Sequence, residues 1–223
     1  LVCIYFKYKL AGKQMFTLQN TDSSLLTTDT AMTTVMYPVM ELFYTLQGEG
    51  CFTGHAAIFI RLAGCNVGCH WCDVKESWDA DKYLAYSIPD ILLQVQQFPA
   101  KMVVITGGEP LLYHLNPLCL ALQNLGYKTH LETSGSQRLS GEWDWICLSP
   151  KKFKPPTASV IAQANELKVV IYNKHDFDWA ELYAEQVNKN CNLYLQPEWS
   201  KAAAITPQIV QYIQQNPKWT LSL

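Results

Sequence analysis

The 223-residue chain is 49% hydrophobic with a formal net charge of -2, enough apolar material for one full core of barrel or doubly wound size and no basic excess to hold nucleic acid. No apolar run approaches the roughly 20 residues that span a bilayer, and the opening stretch lacks the ordered parts of a signal peptide. The eight cysteines stand at 3, 51, 65, 69, 72, 119, 147 and 191 with only three clustered, which points to a reducing cytoplasm rather than a disulfide framework.

Residues 1–31 open without Met and pass into a Thr/Ser/Asp-rich stretch with no clear periodicity. Met32 and Met36 both offer a start, so residues 1–35 are expected to be a disordered or non-native extension and residues 36–223 the folded domain. The segment Glu41-Leu42-Phe43-Tyr44-Thr45-Leu46-Gln47-Gly48-Glu49-Gly50 ends in two glycines, which suit either a plain hairpin turn or close approach to a ligand. Residues 56–62 read as a buried strand that carries Arg61, a cation needing an anionic partner. A structural salt bridge and bidentate recognition of a substrate carboxylate are both open to it.

Next comes Cys65-Asn66-Val67-Gly68-Cys69-His70-Trp71-Cys72, three thiols at offsets of four and three residues in one loop. A structural zinc wants a fourth ligand, usually from a second pair, and no second Cys-x-x-Cys follows. A cubane iron-sulfur cluster can instead be held by three thiolates with its fourth iron open. His70 is read as pointing away between two ligands, and Trp71 as covering the cluster or simply packing.

Ser87-Ile88-Pro89-Asp90 starts a helix faced by Ile91, Leu92 and Val95. Residues 102–105 form a wholly apolar strand of the parallel type that ends in Thr106-Gly107-Gly108-Glu109-Pro110. A helix opens at Asn116-Pro117 and stops at Gly126. Strands are expected over 130–133, 145–148, 168–171, 193–195 and 219–223, and helices over 158–165, 177–187 and 207–215. This alternation predicts an α/β fold, a parallel sheet closed or nearly closed into a barrel, with chemistry at the carboxyl ends of the strands. Glu109 is read as fixing its turn through backbone hydrogen bonds, and Glu132 as near a cofactor. The tract Lys151-Lys152-Phe153-Lys154 is the one dense basic run, a solvated loop or an anion contact.

Cys65-x3-Cys69-x2-Cys72 followed by Gly107-Gly108-Glu109-Pro110 resembles the radical S-adenosylmethionine superfamily, whose fold is a partial, incomplete TIM-like βα barrel. Within it, Leu46-Gln47-Gly48-Glu49-Gly50, Phe52-Thr53-Gly54, Arg61-Leu62-Ala63-Gly64-Cys65, Trp71-Cys72-Asp73 and Ser149-Pro150-Lys151 make residues 36–223 similar to the 7-carboxy-7-deazaguanine synthase family. The resemblance implies a carbon-nitrogen lyase that converts 6-carboxy-5,6,7,8-tetrahydropterin to 7-carboxy-7-deazaguanine with loss of ammonia, toward queuosine. It implies a four-iron four-sulfur cluster on Cys65, Cys69 and Cys72. S-adenosylmethionine would contact Trp71, Cys72, Asp73, Gly108, Ser149, Pro150, Lys151 and Gln196, and the pterin Leu46, Gln47, Gly48, Arg61 and Thr106. Beyond the cluster and cofactor no catalytic side chain is assigned. A homodimer and a flavodoxin or ferredoxin-type electron donor are implied as well.

Two departures from the family stand out. Val74 occupies the position where the family has a Thr that helps hold Mg2+, and an apolar side chain cannot ligate a hard cation, so no magnesium ligand is named. The chain stops at Leu223 where related chains continue with a short polar tail that helps close the substrate pocket, so either a truncated carboxyl end or an open pocket is expected. The rival readings are a glycyl-radical-enzyme activase, a catalytically impaired paralogue, and a zinc-binding or scaffold domain built on the same loop.

Overall fold

A computed structural model describes residues 35–223; the expected amino-terminal extension, all but Val35, lies outside the described residues. One nine-stranded sheet runs in the order β3-β1-β2-β4-β5-β6-β7-β8-β9. Its strands are β1 (Met36–Leu46), β2 (Ala56–Leu62), β3 (Ala85–Ser87), β4 (Met102–Gly107), β5 (Lys128–Thr133), β6 (Trp145–Leu148), β7 (Glu166–Ile171), β8 (Asn192–Pro197) and β9 (Trp219–Leu221). From β2 to β9 every neighbour pair is parallel. β1 pairs antiparallel with both β2 and β3, so β3 and β9 are the sheet edges and the barrel stays open.

Among the described residues five helices follow the strands: α1 (Ile88–Val95), α2 (Asn116–Asn124), α3 (Ala158–Gln163), α4 (His175–Ala184) and α5 (Ala202–Gln215). α1 begins with a reciprocal cap, Ser87 accepting from the Asp90 amide while the Asp90 carboxylate accepts from that of Ser87. α5 departs from the sequence expectation. A start at Pro207 follows from the preference of proline for a first turn, yet the helix begins five residues earlier, out of the short 3-10 turn Trp199–Lys201, and carries Pro207 inside it. β1 was not expected as a strand at all. Its eleven residues find their order in the partner strand, with Phe43 opposite Phe59 and Glu41 opposite Arg61.

The two faces of the sheet have opposite chemistry. Ile58, Ile60 and Leu62 of β2, Val103 and Ile105 of β4, Leu131, Ile146, Leu148, Leu167, Val169, Ile171 and Leu195 point one way, into the main core with the apolar stripes of all five helices. Because side chains alternate along a strand, the intervening residues face the concave side. There lie Arg61, Thr106, His130, Glu132, Glu166, Lys168 and Gln196, all buried. On that side Ala57, Phe59 and Val104 form an apolar patch with Phe43 and Met102 packed on it.

Candidate active site

Each end of the concave face is closed by a loop. At the carboxyl ends, the cysteine loop leaves β2 and is tied down by backbone: Gly64 N donates to Ser77 O at 2.6 Å, Cys65 N to Trp78 O at 3.2 Å, and Glu109 N to Gly64 O at 2.9 Å. Gly107, at φ 145°, ends β4 in a conformation that side chains rarely adopt. A Cβ at Gly108 would overlap Gly64 O and approach the Cys65 Cβ to 2.8 Å. The glycine pair therefore lets the cysteine loop settle directly onto the strand tip.

The result is a cleft of about 500 Å³, solvent included, lined by Cys65, Cys69, Cys72, Trp71, Asp73 and Val74 with Val67, Trp78, Gly107, Gly108, Ser134 and Lys151. Three free thiols share it. Among the described residues no group of three or more His, Cys, Asp or Glu is gathered to hold a metal ion. A cubane asks for something different, because its three thiolates bind three separate irons. Burial pushes the thiols of Cys65 and Cys69 up, and the Lys151 ammonium pulls Cys69 back. The donor set fits a three-cysteine cluster. It lacks the side-chain oxygen for magnesium at position 74, where valine offers only methyl groups.

Lys151 is buried, donates to Ser149 Oγ and Ser149 O at 2.6 Å each, and lies over the Trp71 ring at 5.7 Å. Ser149 to Lys151 thus stand beside the cysteine loop, with Pro150 and Lys151 also lining a second, aromatic groove. His70 is exposed and faces that groove, edge-on to Phe153 at 5.5 Å and Tyr172 at 5.9 Å, turned from the thiols. Glu109, wholly buried, accepts from Leu111 N at 3.1 Å and Ser134 N at 2.9 Å and from the Thr133 and Ser134 hydroxyls, which makes it the brace of the strand tips.

At the opposite end, the connection from β1 to β2 folds in as a plug. Phe52, at the end of the 3-10 turn Gly50–Phe52, meets His130 at 4.5 Å and Trp145 at 4.9 Å. Gly50, at φ 64°, has the Glu166 carboxylate where a Cβ would stand. Above it is a polar network: Gln47 Nε2 donates to Glu132 Oε1 at 2.8 Å, Gln196 Nε2 to Glu49 Oε1 at 3.0 Å, and Lys168 Nζ to Glu49 Oε2. Cys51 N and Trp145 Nε1 each donate to Glu166 Oε2 at 3.1 Å. Burial pushes the carboxyls of Glu49 and Glu166 up while Lys168 pulls them down. Burial works against the charge on Lys168, but Glu132, Glu49, Cys147 and Glu166 outweigh it and hold its ammonium well above the ordinary lysine value.

The expected substrate residues divide here. Gln47, Arg61 and Thr106 are buried on the concave side, whereas the Leu46 side chain is exposed, so any contact it makes there runs through its backbone. Arg61 has found a carboxylate within the chain, its Nε donating to Glu41 Oε1 at 2.7 Å. Thr106 Oγ1 and Glu132 Oε2 are buried without a hydrogen-bond partner. Gln196 is absent from the cysteine cleft, its amide taken by Glu49 and Ser222. Sequence reading missed Glu49, Glu166 and Lys168. The signal was a polar residue at every second position of strands otherwise wholly buried, such as Glu166-Leu167-Lys168.

Comparison with known proteins agrees with this geometry. Residues 59–149 match the Radical SAM superfamily. The chain is 53% identical over 188 residues to a 7-carboxy-7-deazaguanine synthase of Flavobacterium psychrophilum, covering 84% of this chain and 89% of that one. It is 47% identical over 190 residues to a 7-carboxy-7-deazaguanine synthase of Synechocystis, covering 85% of this chain and 91% of that one. The crystal structure of QueE from Escherichia coli superposes with a TM-score of 0.75 at 36% identity, covering 84% of this chain and 93% of that one. The chain belongs to the 7-carboxy-7-deazaguanine synthase family of the radical S-adenosylmethionine superfamily.

Proposed function

We propose that the chain converts 6-carboxy-5,6,7,8-tetrahydropterin to 7-carboxy-7-deazaguanine with loss of ammonia, at a site made by the thiol cleft and the polar concave face below it. The observation that carries this reading is their stacking on one side of one sheet: Thr106 directly precedes the Gly107-Gly108 tip, and Glu132 lies two residues below Ser134 of the cleft. Bound together, a four-iron four-sulfur cluster and S-adenosylmethionine would supply the radical chemistry of hydrogen-atom abstraction. Cys65, Cys69 and Cys72 hold the cluster. Trp71, Cys72, Asp73, Gly108 and Ser149 to Lys151 hold S-adenosylmethionine, with the Lys151 ammonium available to its carboxylate.

Gln47, Gly48, Arg61 and Thr106 bind the pterin, and Leu46 contributes its backbone. Glu41 fixes the plane of the Arg61 guanidinium toward a substrate carboxylate. The Phe52 plug keeps water out from below, and the dry polar interior strengthens each of these contacts. No step runs through magnesium, since Val74 offers no ligand.

The electron comes from a flavodoxin or ferredoxin-type donor, and the enzyme works as a homodimer in the cytoplasm. All seven cysteines of the described residues are free, which suits a reducing compartment. Among those residues no helix is long and apolar enough to cross a membrane.

The test is product analysis after anaerobic reconstitution with iron, sulfide, reductant, S-adenosylmethionine and the pterin, for the chain as it stands and for Val74→Thr, each with and without Mg2+. Formation of 7-carboxy-7-deazaguanine by the unaltered chain without Mg2+ is the expected result. Deoxyadenosine formed equally with and without the pterin would sink the reading.

A further inference from the structure

We propose that Lys168 is a positioning residue: its buried ammonium clamps Glu49 of the plug to Glu132 of β5 and so seats the pterin-binding segment at residues 47–48. The inference rests on the substrate reading above but concerns a residue that touches neither thiol cleft nor plug backbone.

The geometry is that of a clasp. Lys168 sits on β7, 2% exposed, with Nζ bonded to Glu49 Oε2 and 4.0 Å from Glu132 Oε2. Gln47 is held between the same two residues, its Nε2 donating to the Glu132 carboxylate at 2.8 Å and its Oε1 accepting from the Glu49 backbone amide at 3.2 Å. A triangle of Lys168, Glu49 and Glu132 therefore encloses Gln47. On the far side, Gly50 N donates to Ser222 Oγ at 3.1 Å and Cys51 N to Glu166 Oε2 at 3.1 Å, so the plug is pinned at both ends.

The charge count shows which pin matters most. Three buried carboxylates, Glu49, Glu132 and Glu166, face one ammonium. With Lys168 removed, Glu49 and Glu132 would repel each other in a low-dielectric interior, and the mobile partner would yield. Glu132 and Glu166 belong to central parallel strands, whereas Glu49 stands in the connection of residues 47–55, between the end of β1 and the start of β2. Loss of the clamp would thus lift the plug and leave the sheet in place.

The test uses the full chain as Lys168→Met and Lys168→Arg. Amide hydrogen exchange, measured without any substrate, is expected to quicken about tenfold or more over residues 47–52 in Lys168→Met while β2 and β4 keep their protection. Exchange no faster there, or β2 and β4 loosening equally, overturns the clamp. With the pterin, KM is expected to rise about tenfold while kcat falls less than about threefold, and Lys168→Arg to recover most of the loss. A fall in kcat at unchanged KM overturns the positioning role. Should the wild-type chain turn over no pterin, the substrate reading fails and the exchange result still decides the clamp. If Lys168→Met does not fold, Glu49→Gln, which removes the other jaw, is read the same way.

Discussion

Consecutive residues of β4 serve opposite faces of the sheet: Ile105 enters the helix-packed core, and Thr106 enters the concave interior. The helix-packed face is apolar from α1 to α5 and holds the fold together by burial, roughly 25 cal/mol per Å² removed from water. The concave face buries Arg61, Glu132, Glu166 and Lys168, whose desolvation opposes folding unless partners are close. One sheet therefore separates stability from chemistry by the period-two alternation of its side chains.

The largest effect is expected at the strand tips. Cys69→Ala should leave reconstituted protein short of iron and sulfide and bring product to background, as metal analysis and chromatography would show. Gly108→Ala should do nearly the same without removing a ligand, because the new Cβ displaces Gly64 and Cys65. Normal cluster content in Gly108→Ala would mean that the close approach is dispensable. On the helix-packed face, Ile105→Ala should cost about 2–5 kcal/mol of stability by opening a cavity. Denaturant unfolding would measure it, and KM for the pterin should not move.

A smaller effect is expected from pH. His130 is buried against Phe52 and Trp145, and burial lowers its pKa from 6.5 to about 4, against the pull of Asp144 and Glu132. The folded state holds it neutral where the unfolded chain would protonate it. Its contribution is thus complete above about pH 6.5 and is lost as pH falls toward 4. The melting temperature of the wild type should fall relative to that of His130→Leu as pH drops through that window. Parallel curves would mean the imidazole is charged in the folded protein.

The smallest expected change in stability is at Thr106→Val. The hydroxyl is buried without a partner, so an isosteric methyl should leave stability unchanged or raise it by about 1 kcal/mol. The same substitution should raise KM for the pterin several-fold. Beside Ile105→Ala it gives the sharpest contrast available between neighbouring residues: one costs stability and spares binding, the other the reverse.

Much of the fold was legible because its signals are local. β2 and β6 fall where their apolar runs end, α1 begins at its cap, and α2 stops short of Gly126. β1 was not legible, since what orders it is pairing with a strand ten residues further on. α5 was misplaced because a proline inside a helix looks, in sequence, like its first turn.

By itself the sequence determined the thiol spacing, the glycine tip and the rhythm of strand and helix, and with them the superfamily. These are contiguous in the chain, and their chemistry needs no knowledge of distant residues. Only the tertiary structure decided that Arg61 pairs with Glu41, that Gln196 serves Glu49 rather than the cleft, and that Glu49, Glu132 and Lys168 close around Gln47. The reason is physical: a buried charge is defined by its partner, and here Lys168 lies 119 positions along the chain from Glu49.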